Sequence, residues 1–126
     1  MKWVLDSSAI LANYLVEPGG EVVADKIGET LVSTVNLSEV AAKLFERGIS
    51  FEIYESLRLF SAHTIFDFDR EHAVIAAQLR NQTRKFGLSL GDRACLALAI
   101  HQKARVLTAD RAWADLKLGV EIEVIR

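Results

Sequence analysis

The chain has 126 residues, 51% hydrophobic and 25% charged, with a formal net charge of −2, seven Gly and one Pro. This composition suits one compact, helix-rich domain over residues 1–126 and excludes a disordered or fibrous chain. The weak acidity gives no global attraction for nucleic acid, so such a role needs a local field or a metal, and the single cysteine, Cys95, excludes an internal disulfide framework. No basic leader runs into an apolar segment, and no stretch approaches membrane-spanning length, so a soluble, cytoplasmic protein is expected.

Trp3 to Asp6 is a short apolar run that ends in a carboxylate followed by the hydroxyls of Ser7 and Ser8, the pattern of a buried strand with an acid at its carboxyl end. Ser7 to Val16 places Ile10, Leu11, Tyr14 and Leu15 at helical spacing, and Pro18-Gly19-Gly20 stops that helix. Glu21 to Ile27 predicts a short second helix. Thr30 to Val35 is β-branched and predicts a second strand. Asn36 reads as the N-cap of a helix reaching Arg47, with Glu39 three residues on in a capping-box position. Ser50 to Phe60 predicts a further helix with Ile53, Leu57 and Phe60 on one face, and Thr64 to Phe68 a third strand. Asp69 then caps a long amphipathic helix whose buried stripe is Ile75, Ala76, Leu79, Thr83 and Phe86, with Gly87 as its stop. Ser89 caps the next helix, with Asp92 three residues later, and the run Ala94 to Ile100 is apolar on almost every side, which predicts burial. Arg105 to Thr108 is a fourth strand, followed by Asp110 and a short helix around Trp113. Glu121 to Ile125 alternates and predicts a fifth strand at an edge.

Alternating strands and helices predict a parallel sheet covered on both faces. Helices that follow a strand start at its carboxyl edge, and helices that feed a strand start there too. Asp6 and Asp110 therefore fall at strand ends, and Glu39 and Asp92 in first turns of helices at the same edge. A capping role is the simpler account of any one of these acids taken alone. Jointly they ask for more, because Asn36 and Ser89 already serve as caps and Asp6 ends a strand expected to be central, where a carboxylate needs a partner. Clustered carboxylates suit a hard cation, Mg²⁺ or Mn²⁺, which takes oxygen ligands and polarises phosphoryl oxygens.

Other residues weigh less. Arg93 and Arg111 each follow one of these acids and are equally suited to phosphate contact or to solvation. Arg80, Arg84 and Lys85 read as a solvated basic face. Asp67 lies at the far edge and Asp69 is a cap. His63, His72 and His101 lack metal-ligand spacing, and Cys95, Trp3 and Trp113 read as packing residues. The segment Val40 to Phe60 carries more apolar surface than two short helices need, so it is either core or a groove for a partner helix or a second copy.

Four stretches, DSSAIL from Asp6, NLSEVAAKL from Asn36, LSLGDRACLALA from Leu88 and LTADRAWA from Leu107, together resemble the PIN-domain family, in particular its VapC-type toxins of toxin–antitoxin pairs. The resemblance implies a Rossmann-like α/β/α sandwich with strand order 3-2-1-4-5. It also implies a Mg²⁺- or Mn²⁺-dependent endoribonuclease leaving a 5′-phosphate and a 3′-hydroxyl. By motif, Asp6, Glu39, Asp92 and Asp110 are its catalytic acids and metal ligands. Ser8 and Thr108 orient carboxylates, and Arg93 is a candidate for RNA contact. A VapB-type antitoxin and a homodimer are the implied partners, with RNA as substrate. The competing classes are a receiver-type signalling module, which lacks the expected Lys at the end of strand five, and a non-catalytic RNA-binding domain.

Overall fold

The computed structural model describes residues 1–126. Five short strands, β1 (Trp3–Leu5), β2 (Thr30–Ser33), β3 (Thr64–Phe66), β4 (Arg105–Thr108) and β5 (Ile122–Val124), form one sheet in the order β3-β2-β1-β4-β5. All four pairings are parallel, with Val4 opposite both Leu31 and Val106. This is the expected order, and it differs from the 2-1-3-4-5 order of receiver-like sheets. Parallel strands require crossovers, which six helices supply as far as β4, namely α1 (Ser7–Tyr14), α2 (Gly20–Ala24), α3 (Thr34–Glu46), α4 (Phe51–Leu57), α5 (Arg70–Gln82) and α6 (Leu90–Gln102), and a 3₁₀ turn over Arg111–Asp115 leads from β4 to β5.

Side-chain alternation along the strands divides the core in two. Trp3, Leu5, Val32 and Leu107 point to one face and pack with Ile10, Ala12, Val23, Val40 and Leu44 of α1, α2 and α3. Val4, Leu31 and Val106 point to the other and pack with Leu79 of α5 and Cys95, Leu96, Leu98 and Ala99 of α6. The result is three layers, helices on each side of a central sheet. Ala94 to Ala99 are all buried, as their uninterrupted apolarity requires, and so are Trp3 and Trp113.

Several boundaries move from their expected places. The first helix stops at Tyr14, and Val16 turns through a left-handed φ of 53°. Gly20 belongs to the start of α2 rather than to a stop, because a Cβ there would meet the carbonyl of Ala12 where α1 and α2 cross. Helix α4 ends at Leu57, broken by a left-handed Arg58, and a separate 3₁₀ turn follows over Leu59–Ala62. Helix α5 ends at Gln82, so Phe86 belongs to a 3₁₀ turn and is half-buried, whereas Ala76, Leu79 and Thr83 are buried as expected. The histidines take structural roles: His63 bonds Thr30 Oγ1 through Nδ1 and meets the Tyr14 hydroxyl through Nε2, and His101 pairs with Glu71.

The start of α3 is the consequential change. Strand β2 ends at Ser33, whose hydroxyl accepts the Val35 N–H at 3.2 Å, so the helix begins two residues before the expected cap. Asn36 is thereby not a cap but a helix-interior residue, 1% exposed. Glu39 accordingly lies in the second turn, beyond the strongest influence of the helix N-terminus.

Candidate active site

Asp6 follows β1 directly and caps α1. Its Oδ1 accepts the Ala9 N–H at 2.9 Å and the Ser8 hydroxyl at 2.7 Å, and its Oδ2 accepts the Thr108 hydroxyl at 2.6 Å. Ser8 Oγ in turn accepts the Ala109 N–H at 2.9 Å, and Thr108 Oγ1 accepts the Asp110 N–H at 3.0 Å. These bonds tie the carboxyl ends of the neighbouring strands β1 and β4 into one unit. Their polarity also matters, because each hydroxyl that takes a backbone proton has its own proton free to aim at Asp6. Ser8 and Thr108 therefore orient Asp6.

The other acids reach the same place from separate elements. Glu39, on α3, accepts through Oε1 from the Ser7 hydroxyl and from Asn36 Nδ2, the latter at 3.0 Å. Asp92, on α6, accepts the Ser89 N–H at 3.0 Å while Ser89 Oγ accepts the Asp92 N–H, a capping box. Asp110 caps the 3₁₀ turn at Arg111–Asp115 by accepting the Ala112 N–H at 3.0 Å. All four line one open cleft of about 440 Å³, together with Ser7, Ser8, Leu11, Ala42, Lys43 and Glu46. The capping account is thus correct for Asp6, Asp92 and Asp110, and the cleft is formed by the same side chains.

Electrostatics register the crowding. Burial pushes the Asp6 carboxyl up to about 6 against the hydrogen bonds it accepts, and Asp92 adds to the rise. Burial also raises Asp92, and the charges of Glu39 and Asp110 push the same way. The thiol of Cys95, fully buried behind them, is raised by burial and then by Asp6, Asp92 and Glu39. It is a packing residue rather than a nucleophile.

The donor set fits a hard cation in its chemistry: four carboxylates and two hydroxyls at one strand edge, with no imidazole or thiolate among the cleft-lining side chains. Glu39, Asp92 and Asp110 each spend one carboxylate oxygen on protein donors, which leaves Oε2, Oδ1 and Oδ2 respectively for a ligand. As the side chains stand, however, no three acidic, imidazole or thiol groups close around a single point that could hold an ion. The acids share a cleft without meeting at one centre.

One expected site residue lies elsewhere. Arg93 turns its guanidinium to the carbonyl of Ala76 on α5 at 3.0 Å. The reason is helical: one residue past Asp92 is about 100° around α6, so when Asp92 faces the cleft Arg93 faces α5. Asn36, Gly91 and Lys43 have roles at or beside the cleft that the sequence reading missed. Asn36 holds Glu39 and also donates to the Gly91 carbonyl at 3.1 Å, joining α3 to α6. Gly91 leaves the space that the Glu39 carboxylate occupies, since a Cβ there would collide with it. Lys43 follows Glu39 by four residues on the same face of α3, a spacing that could have revealed it.

Comparison with solved structures finds this fold in chains of several VapBC complexes. A chain of VapBC2 from Rickettsia felis, bound to a DNA fragment from its promoter, matches with TM-score 0.74 and 15% identity over 100% of both chains. A chain of VapBC-5 from Mycobacterium tuberculosis matches with TM-score 0.67 and 21% identity over 99% of this chain and 98% of that one. VapC20 of Mycobacterium tuberculosis, described as a sarcin-ricin loop cleaving toxin, matches with TM-score 0.71 and 16% identity over 95% and 99%. No curated protein matches the sequence. No helix is long and apolar enough to cross a membrane. The PIN domain family model aligns with residues 3–118, from the first strand to the loop before β5, and so takes in every acid of the cleft; this chain belongs to the PIN domain family.

Proposed function

We propose that this chain is a divalent-metal-dependent endoribonuclease, the toxin of a VapBC-type pair, working as one PIN domain over residues 1–126 in the cytoplasm. The observation that carries this reading is the gathering of Asp6, Glu39, Asp92 and Asp110, from four separate segments, into one cleft at the carboxyl ends of β1 and β4. Open α/β sheets bind ligands in that position, where the crossovers leave in opposite directions. The structural likeness to chains of VapBC complexes and to a sarcin-ricin loop cleaving toxin supports the same assignment.

Asp6 and Asp92 are the principal metal ligands in this reading, and Glu39 and Asp110 complete the acidic ring or hold its waters. Ser8 and Thr108 fix the Asp6 carboxylate. A bound Mg²⁺ or Mn²⁺ supplies Lewis acidity, lowering the pKa of bound water and polarising a phosphodiester oxygen. Asp6, buried and crowded by Asp92, is a costly carboxylate that a cation relieves. The products are a 5′-phosphate and a 3′-hydroxyl. The test is RNA cleavage with and without chelator. EDTA-treated protein is expected to cut no faster than buffer, and millimolar Mg²⁺ or Mn²⁺ to restore cutting. Full cleavage in EDTA overturns the metal-dependent reading.

A VapB-type antitoxin and a second copy of this chain are the partners. Phe45, Phe51, Ile53 and Leu57 are 41–61% exposed on α3 and α4, and α4 buries no residue at all. A single exposed apolar residue is ordinary, but a row of four on adjacent helices asks for cover. Size-exclusion chromatography is expected to give a mass above one chain, and Phe51→Glu with Ile53→Glu to lower the mass or abolish capture of the antitoxin. A monomer indifferent to its antitoxin counts against the pairing.

A further inference from the structure

We infer that Lys43 binds a backbone phosphate of single-stranded RNA, next to the phosphate held at the acids, and so positions the strand in the cleft. The inference rests on the ribonuclease reading above. It starts from a charge problem. The cleft is lined by five carboxylates, those of Asp6, Glu39, Glu46, Asp92 and Asp110, and by one cation, Lys43. A polyanion entering such a cleft needs a positive group besides any metal, because the protein as a whole is also slightly acidic.

The cations that stand beside the acids in sequence, Arg93 and Arg111, do not line the cleft. Arg93 donates to the Ala76 carbonyl on α5. Arg111 donates through Nε to the carbonyl of Arg126, at the end of the chain. Lys43 is the cation that remains. Its side chain is 57% exposed, and its one ionic neighbour, Glu46, lies at 4.0 Å with a side chain 71% exposed. Such a pair holds neither group firmly, so the ammonium is available to a ligand.

Placement along the helix sets which phosphate it meets. Four residues separate Glu39 from Lys43, about 6 Å of rise on one face of α3. That is close to the spacing of successive phosphates on an extended strand. Leu11 and Ala42 are the two apolar residues that line the same cleft, and a sugar or base can lie against them. A lysine suits this task because it reads a phosphate as a point charge and carries no base preference.

Steady-state cleavage of a fluorescein-labelled single-stranded RNA by the full chain tests the proposal, with direct binding in Ca²⁺ followed by anisotropy. Lys43→Ala is expected to raise KM about five- to twentyfold with kcat within about twofold, and to reduce the slope of log KM against log salt by about 0.7, the value for one phosphate contact on a single strand. Lys43→Arg is expected to restore both, and Lys85→Ala, away from the cleft, to change neither. Unchanged KM and salt slope in Lys43→Ala overturn the inference while leaving the nuclease reading in place. If the wild type cuts no RNA, the nuclease reading falls, and anisotropy decides Lys43 alone: weaker binding by Lys43→Ala supports it, and equal binding overturns it.

Discussion

Asp6→Asn is expected to abolish metal-dependent RNA cleavage while making the metal-free protein more stable at neutral pH. The two effects have one cause. Asp6 is 4% exposed, and burial raises its carboxyl from 3.8 to about 6. The folded protein thus holds the proton more tightly than the unfolded chain. Stability from this group is fully present below pH 3.8, is lost as pH rises through the folded value, and is absent at pH 7. A shift of this size corresponds to about 3 kcal/mol. An amide keeps the shape without the charge. It gives up part of the gain, because Nδ2 cannot accept the Thr108 proton as Oδ2 does. The expected net gain is about 1–3 kcal/mol at pH 7 in EDTA, shrinking toward zero below pH 4. Cleavage is expected to fall at least about 100-fold, since an amide is a poor ligand for a hard cation and Asp6 sits at the centre of the network. Denaturant melts of both proteins across pH 4 to 8, beside cleavage assays, check the pair of outcomes. An active Asp6→Asn, or one less stable than wild type at pH 7, removes Asp6 from the role given to it.

Gly91→Ala is expected to impair activity about 10- to 100-fold with little change in stability, the size seen when a group that orients a metal ligand is lost. Gly91 sits in the first turn of α6, with an ordinary helical backbone, so its lack of a side chain serves the neighbour rather than the turn. An added methyl would occupy the space of the Glu39 carboxylate. That side chain is flexible and can swing away, but only by leaving Asn36 and Ser7. The lost hydrogen bonds cost about 1 kcal/mol, and the better helix propensity of Ala returns about as much. A double-mutant cycle makes the test specific. If Gly91 acts only through Glu39, Gly91→Ala in a Glu39→Gln background is expected to cost nothing further. Wild-type cleavage by Gly91→Ala, or fully additive losses, excludes this role.

Periodicity and turn chemistry were enough to reveal five strands, the main helices and the buried α6, because those signals act between residues a few positions apart. The motif resemblance brought the strand order and the four acids. Side-chain direction was not legible in the same way. Asn36 looked like a cap, and it became a buried strut only because Ser33 captured the helix start three residues earlier. Arg93, by adjacency to Asp92, suited phosphate contact and solvation equally, and the turn of α6 carried it to α5. Only the placement of α3 brings Lys43 to the cleft.

The sequence by itself determined a parallel α/β domain with acids at one edge, since hydrophobic spacing, caps and strand ends are local properties. Only the tertiary structure decided which groups share the cleft and what each carboxylate leans on. Thr108 reaches Asp6 across 102 residues of chain because β1 and β4 lie side by side, and Asp6 is raised because the packed fold buries it. Proximity and burial come from how elements pack, and no window of neighbouring residues contains them.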